Sequence, residues 1–497
     1  GMNNSNFDSD VYSYYNLGAG SNLINNPSQS MMDGSVSQDN LVSFFGRVNY
    51  NWGNRYLLSA SVRREGSTRL GADYKWGTFP AVSVGWSIGN EAFMESASWI
   101  NDLKLRLGYG VTGNMPSDNY LSLSMMGVVG RFYDHTSKQW INAYGPTQNQ
   151  NPDLKWEKTG QFDVGFEIGF WQNRLSFDVA YYNKKTTDLL LDCPIPHTTG
   201  FTTVYKNTGY VRNQGMDLMI SARPVQTQDF NWSSTINLNF NKNKILQLGD
   251  NNEDIEMNSW VGGSESILRV GENMSSFYGY RRLGVYTEED FNNGLCEKNQ
   301  IGRAKRSSER EIIGKGVPDW TGSMINTLRY KNWDFTLDLQ FVAGVQTLQQ
   351  FYHSTYDRFG QTNGLTNILY DAYNGTNPNS MQQAIWLFNG GHAGQDTLTD
   401  SQWVANGSYL RANLIQLGYT FDSNQLAKTP FSSLRLYLNV NNAFLITAKD
   451  FNGYDPESTS QISTSNGSVS PEQFGQNMAF FSYPRARTFT LGVNVIF

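Results

Sequence analysis

Gly85–Gly89, GWSIG, has the spacing of a nucleophile elbow, where a serine on a tight strand-to-helix turn attacks an acyl carbon. EAFMES follows and reads as the helix such a turn needs. Acyl transfer also needs an acid and a histidine at the ends of other buried strands, and strands of that kind read as unbroken apolar runs. The strands here alternate instead. The four histidines, His135, His197, His353 and His392, fall in or near loop-like segments at the opposite strand ends from Ser87. Gly108–Gly113, GYGVTG, matches the dinucleotide fingerprint, but NMPSDN follows it, a turn and not the helix that would meet a pyrophosphate. Asp250–Glu256, DNNEDIE, offers oxygen ligands for calcium but lacks the spacing and glycine of an EF-hand, and reads better as a solvated acidic loop. Cys193 and Cys296 are in no CxxC or zinc-like spacing; both fall in loop-like segments, and a disulfide between them stays open. No residue set reads as catalytic, and no cofactor or metal is expected.

The elements that carry these residues are strands. Aromatic residues make up 14% and charged residues 16%, the reverse of a disordered chain. A net charge of −6 leaves no footprint for nucleic acid. DLKLRLGYGVT places Leu103, Leu105, Leu107, Tyr109 and Val111 on one face and Lys104, Arg106, Gly108, Gly110 and Thr112 on the other. QFDVGFEIGF, WDFTLDLQF and SLRLYLNVN repeat the pattern, which is that of strands with one apolar and one polar face.

About thirteen such segments are predicted, near 41–51, 55–65, 78–88, 102–112, 159–170, 174–185, 208–222, 230–242, 321–331, 333–343, 408–421, 432–441 and 485–497. Many run to about ten residues, the length a tilted strand needs to cross a bilayer, where ordinary strands cluster near five or six. Short turns (NWGN, WQN, KN) alternate with long polar segments over 113–158, 243–320, 344–407 and 442–484. Aromatics gather at the short-turn ends: Trp52 and Tyr56, Phe170 and Trp171, Phe230 and Trp232, Tyr330 and Trp333, Tyr419 and Phe421. Length, alternation and loop asymmetry together favour an all-β transmembrane barrel with extracellular loops over a β-sandwich.

Several stretches carry a family likeness: GRVNYNWGNRYLLSASVRREGSTRLG, KWGTFPAVSVGWSIGNEAFM, INDLKLRLGYGVTGN, NPDLKWEKTGQFDVGFEIGFWQNRLSFDVAYYNKKTTDLLL, NTGYVRNQGMDLMI, SFYGYRRLGVY, NGSYLRANLIQLGYTF and YPRARTFTLGVNVIF. From about residue 41 to the end, the chain resembles the C-terminal part of the barrel of SusC/RagA-like TonB-dependent outer-membrane transporters. The resemblance implies a barrel of about 22 strands. The plug domain and first strands are absent from this chain, so they are expected on another chain or segment, with residues 1–40 as an extracellular loop segment and 41–497 as barrel. It also implies active import of an oligosaccharide, or of a peptide, through a SusD-like surface lipoprotein and the TonB complex acting on the plug. A passive outer-membrane pore and a secreted carbohydrate-binding protein remain alternatives. The modest charge leans towards neutral glycans.

Three residue sets follow. Arg63, Lys104, Arg106, Asp163, Glu167, Asp178, Asp334, Asp338 and Arg435 fall on the polar face, as candidates for contacts with a plug or merely with lumen water. Trp140, Tyr144, Trp260, Tyr278, Tyr280, Trp320, Trp386 and Trp403 fall in outer loops, to stack on substrate or anchor the partner. Phe489, Leu491, Val493, Val495 and Phe497 form a terminal stripe resembling a barrel-assembly signal, with the apolar face, including Phe166, Leu339 and Leu436, meeting lipid.

Overall fold

The computed structural model describes residues 2–13, 31–201, 203–259, 263–355, 363–366, 368–374, 376–385, 398–457, 476–480 and 483–497. Fourteen strands join in chain order into one antiparallel sheet. They are β1 (Met2–Ser13), β2 (Met31–Trp52), β3 (Tyr56–Ser67), β4 (Trp76–Ser87), β5 (Ile100–Asn114), β6 (Glu157–Phe170), β7 (Leu175–Thr187), β8 (Tyr210–Gln226), β9 (Phe230–Gln247), β10 (Trp320–Tyr330), β11 (Trp333–Ala343), β12 (Tyr409–Thr420), β13 (Ser433–Thr447) and β14 (Thr488–Ile496). Alternation predicted thirteen of these. β1, MNNSNFDSDVYS, has no apolar stripe, and it pairs only with Met31–Val42 of β2, beyond most of the stretch of β2 that pairs with β3. Within segment 1–40 the described residues 2–13 and 31–40 form a strand pair.

Register turns the alternation into two continuous faces. One row runs Leu105, Phe166, Val179, Leu218, Leu238, Gly322, Phe341, and the next runs Lys104, Glu167, Asp178, Met219, Asn237, Ser323, Gln340. A slip of one residue would swap these rows, so a one-faced apolar pattern fixes the pairing. Leu107, Tyr109, Phe162, Phe166, Leu417, Leu436 and Leu438 remain exposed on the apolar face. An apolar surface this large and contiguous is a contact surface, and far exceeds what a soluble monomer tolerates.

The two ends of the sheet differ. Connections at one end are short: 53–55, 88–99, 171–174, 227–229, 331–332 and 421–432. Rings crowd there: Trp52–Tyr56 at 5.6 Å, Trp99–Phe170 at 5.5 Å, Trp333–Tyr419 at 4.8 Å and Phe431–Phe497 at 5.4 Å between centroids. β14 lies on β13, with Leu491 opposite Leu438 and Val493 opposite Leu436, and the Ser432 hydroxyl donates to the carbonyls of Ile496 and Phe497 at 3.1 and 3.3 Å.

At the other end the long segments are folded, where a polar reading suggested plain loops. Residues 125–134 and 139–148 make a hairpin, and 255–259, 263–268, 276–285 and 304–315 make a four-stranded sheet. Strands 346–349, 404–406 and 478–479 form a third small sheet. The buried apolar clusters sit here: Leu191, Val211, Ile245, Leu248 and Leu268; Phe277, Leu348, Tyr352, Trp403 and Met478; and Leu70, Phe79, Leu154 and Trp156.

Candidate functional site

The polar face gathers the charged residues that alternation assigned to it. Arg106 on β5 reaches across to Glu167 on β6 at 2.6 Å and to Asp178 on β7 at 2.7 Å. Lys104 is in register with Glu167. Asp163 occupies the space over Gly108, where a Cβ would collide with its carboxylate. The first half of GYGVTG thus serves a close approach of strands, with no nucleotide role. Further along the same face, on β11 to β13, Arg435 grips Asp334 through two nitrogens, at 3.2 and 2.7 Å, and Gln416 adds a bond at 3.3 Å. The forked pairing fixes geometry as well as charge. Arg63 pairs with the buried Glu65, which also takes the Ser43 hydroxyl at 2.5 Å. Asp338 lines a concavity of about 680 Å³ with Arg106, Asp178, Asp217, Asn239 and Gln340, and has no ion pair among the described residues. Most of these pairs are partly exposed, where each is worth about 0–1 kcal/mol, so the face is a charged contact surface more than a source of stability.

The outer aromatics divide. Trp140 and Tyr144, on one strand of the 125–148 hairpin, are 66% and 69% exposed. Tyr278 is half-buried, with the guanidiniums of Arg310 and Arg269 at 4.5 and 5.6 Å from its ring centre, so cations already occupy the ring that a ligand would stack on. The Tyr280 backbone donates to Thr399 at 3.1 Å, within the folded outer segments. Two placements correct the sequence reading. Trp320 opens β10 on the apolar face and stacks on Phe240 at 6.3 Å; period two put its neighbour Thr321, not Trp320, on the polar side. Trp403 is 4% exposed, packed beside Phe277 and Leu348, because the segment folds a core of its own. Trp260, Trp386 and His392 lie outside the described residues.

The other sequence candidates resolve as local structure. Ser87 ends β4 at the short-turn end, while His135 and His197 lie in outer segments. Asp254 and Glu256 of DNNEDIE pair with Arg269 and Arg310 at 2.7 and 2.5 Å, so arginine fills the role offered to calcium. Cys193 packs against the Leu191 cluster and no disulfide joins it to Cys296.

Sequence reasoning missed three ionic knots. Asp400, fully buried, accepts from Arg282 at 2.6 Å and Arg306 at 2.7 Å, joining segments 118 and 94 residues apart. Arg411, on the polar face of β12, holds Asp455 of the following outer segment at 2.5 Å and Asn442 at 2.7 Å, and is 1% exposed. Glu91, in the 88–99 connection, accepts from the Trp86 indole at 3.0 Å and Arg55 at 3.1 Å. Hydrogen bonds from the Trp86 indole first, then from the Tyr56 hydroxyl, and more weakly from Arg55, hold its carboxyl below the usual carboxylate range. Period two alone would set Arg411 beside Ile415 and Leu417 on the apolar side; the bulge between Ala412 and Leu414 turns it to the polar face, so neither its side nor its partner had a local signal.

The TonB dependent receptor-like, beta-barrel family matches residues 1–443. TonB-dependent receptor P3 of Formosa agariphila is 32% identical over 93% of this chain and 46% of its own length. TonB-dependent receptor SusC of Bacteroides thetaiotaomicron is 30% identical over 93% of this chain and 44% of its own. The structure of the RagAB peptide transporter superposes with a TM-score of 0.78 and 24% identity, over 99% of this chain and 52% of that one. The chain spans about half the length of the curated relatives it matches. It belongs to the TonB-dependent receptor-like β-barrel family, a family of outer-membrane receptors and not of enzymes.

Proposed function

We propose that this chain forms wall strands and the extracellular cap of an importer that draws an oligosaccharide across the outer membrane with energy from TonB. One observation carries the reading: a single sheet has an unbroken apolar face, a charged face, and a folded cap at one end only. A bilayer supplies no hydrogen bonds, so such a sheet must close with further strands, for which β1–β2 and β14 offer the edges. In this reading Arg63, Lys104, Arg106, Asp163, Glu167, Asp178, Asp334, Asp338 and Arg435 face the plug through which TonB acts. A SusD-like lipoprotein covers the cap, residues 1–40 stand outside the membrane, and Phe489, Leu491, Val493, Val495 and Phe497 direct assembly. Exposed Trp140 and Tyr144 support a sugar substrate. A peptide substrate is the second reading, suggested by the likeness to the RagAB peptide transporter. Growth of a deletion strain on a panel of oligosaccharides and peptides tests the choice. A defect confined to one glycan class is expected; a defect confined to peptides would overturn the sugar reading.

A further inference from the structure

The hairpin 125–134/139–148 is left with an unpartnered face. Tyr133 pairs across with Trp140, Arg131 with Asn142 and Val128 with Tyr144. Side chains two apart on a strand share a face, so Arg131, Tyr133, Trp140, Asn142 and Tyr144 stand together. Tyr133 meets Trp140 edge to face at 5.6 Å and His135 at 5.2 Å, which props the indole upright. Trp140 and Tyr144 remain two-thirds exposed, about 13 Å apart along the strand, with Asn142 and Arg131 between them. A lone two-stranded ribbon gains little stability from holding apolar rings in water.

Charge narrows the occupant. Arg131 and Lys138 make no ion pair among the described residues, and the one hairpin acid, Asp134, is engaged by the backbone N–H groups of Thr136 and Ser137 at 3.0 and 3.1 Å. The arm is therefore locally cationic on a chain of net charge −6, and local potential decides what a site attracts. A protein hot spot gathers its rings in a dry, packed centre. Here a guanidinium and an amide separate them. That alternation fits a sugar chain, which offers C–H faces to rings and hydroxyls or anionic groups to the polar side chains between. Arg131 has the fork that a carboxylate or sulfate accepts.

We propose that this face is a capture platform for an acidic glycan, with Trp140 and Tyr144 stacking on separate sugar rings and Arg131 pairing with the anionic group. The proposal rests on the oligosaccharide reading above and narrows it.

The test uses the full-length transporter in detergent and three probes: oligogalacturonate, its methyl ester, and a chondroitin sulfate oligosaccharide. Calorimetry should show at least one charged probe binding tenfold or more tighter than the ester. Trp140→Ala and Tyr144→Ala should each weaken it about tenfold. Arg131→Gln should erase the preference over the ester and Arg131→Lys should keep part of it. The two charged probes tell a carboxylate from a sulfate source. Equal binding of all probes by the wild type, no binding of either charged probe, or a preference that survives Arg131→Gln would overturn the platform. So would loss of a co-purifying surface protein in Trp140→Ala with glycan binding intact. TonB-dependent uptake is measured in parallel: if it persists while binding at the arm fails, transport stands and the platform falls, whereas absent uptake by the wild type sinks the transport reading itself.

Discussion

Leu436→Arg examines the apolar face where the geometry makes the sharpest demand. Leu436 is opposite Val493, four residues before Phe497, and the Phe497–Phe431 ring pair marks the short-turn rim. Four residues rise about 13 Å along a strand. Tilted about 40° from the axis, that is about 10 Å of depth, within a few ångströms of the middle of an apolar band about 25 Å tall. Arginine at that depth costs about 2–4 kcal/mol. Leu434, two residues nearer the rim, has a depth of about 5 Å, and the same change there should cost about 1 kcal/mol. Thr490→Arg, on the polar face of β14, should cost less still. Unfolding of the three variants in lipid, followed by urea titration with heat-shifted gel mobility as a second probe, gives the ranking. A Leu436→Arg variant no less stable than Thr490→Arg would refute the face assignment and the depth together.

Breaking the buried Arg411–Asp455 pair by Asp455→Asn, with Glu457 still 3.4 Å from the guanidinium, should destabilise by about 1–3 kcal/mol and raise hydrogen exchange over 448–457, whereas exchange unchanged from wild type would show that the pair does not hold that segment. Glu91 has a folded carboxyl pKa below its unfolded value, so its contribution is complete above the ordinary carboxylate range and is lost as pH falls through the depressed value. Acid should loosen the 53–55 and 88–99 turns in the wild type and do so less in Glu91→Gln, read by exchange at Arg55 and Ser87; identical acid profiles would remove Glu91 from that role. Deleting Phe497 should lower outer-membrane levels of the assembled protein, and wild-type levels of the deletant would contradict an assembly signal in the last strand.

Thirteen strands were legible because period two survives wherever one face is apolar and the other polar, as in Leu103–Val111 against Lys104–Thr112. β1 was not, because MNNSNFDSDVYS carries no continuous apolar alternation for period two to detect. The charged face was legible for the same reason as the strands: parity fixes the side of Arg106, Glu167 and Asp178, and register then brings them together. The cap was not. Asp400 meets Arg282 across 118 residues, and Trp403 is buried by a core assembled from distant segments, neither of which leaves a local periodicity. Trp320 shows the limit at a strand boundary, where one residue decides between a loop and the apolar face. Net charge gave a lean towards neutral ligands, while the local balance at Arg131, Lys138 and Asp134 points the other way.

Energised uptake tests the central claim most directly. Cells carrying the full-length transporter and its TonB partner are given the labelled oligosaccharide that supports growth, with and without TonB and with and without a proton-gradient uncoupler. Accumulation against the gradient that stops on loss of either is the expected result. Accumulation that continues without TonB would contradict the account and make the sheet the wall of a passive pore.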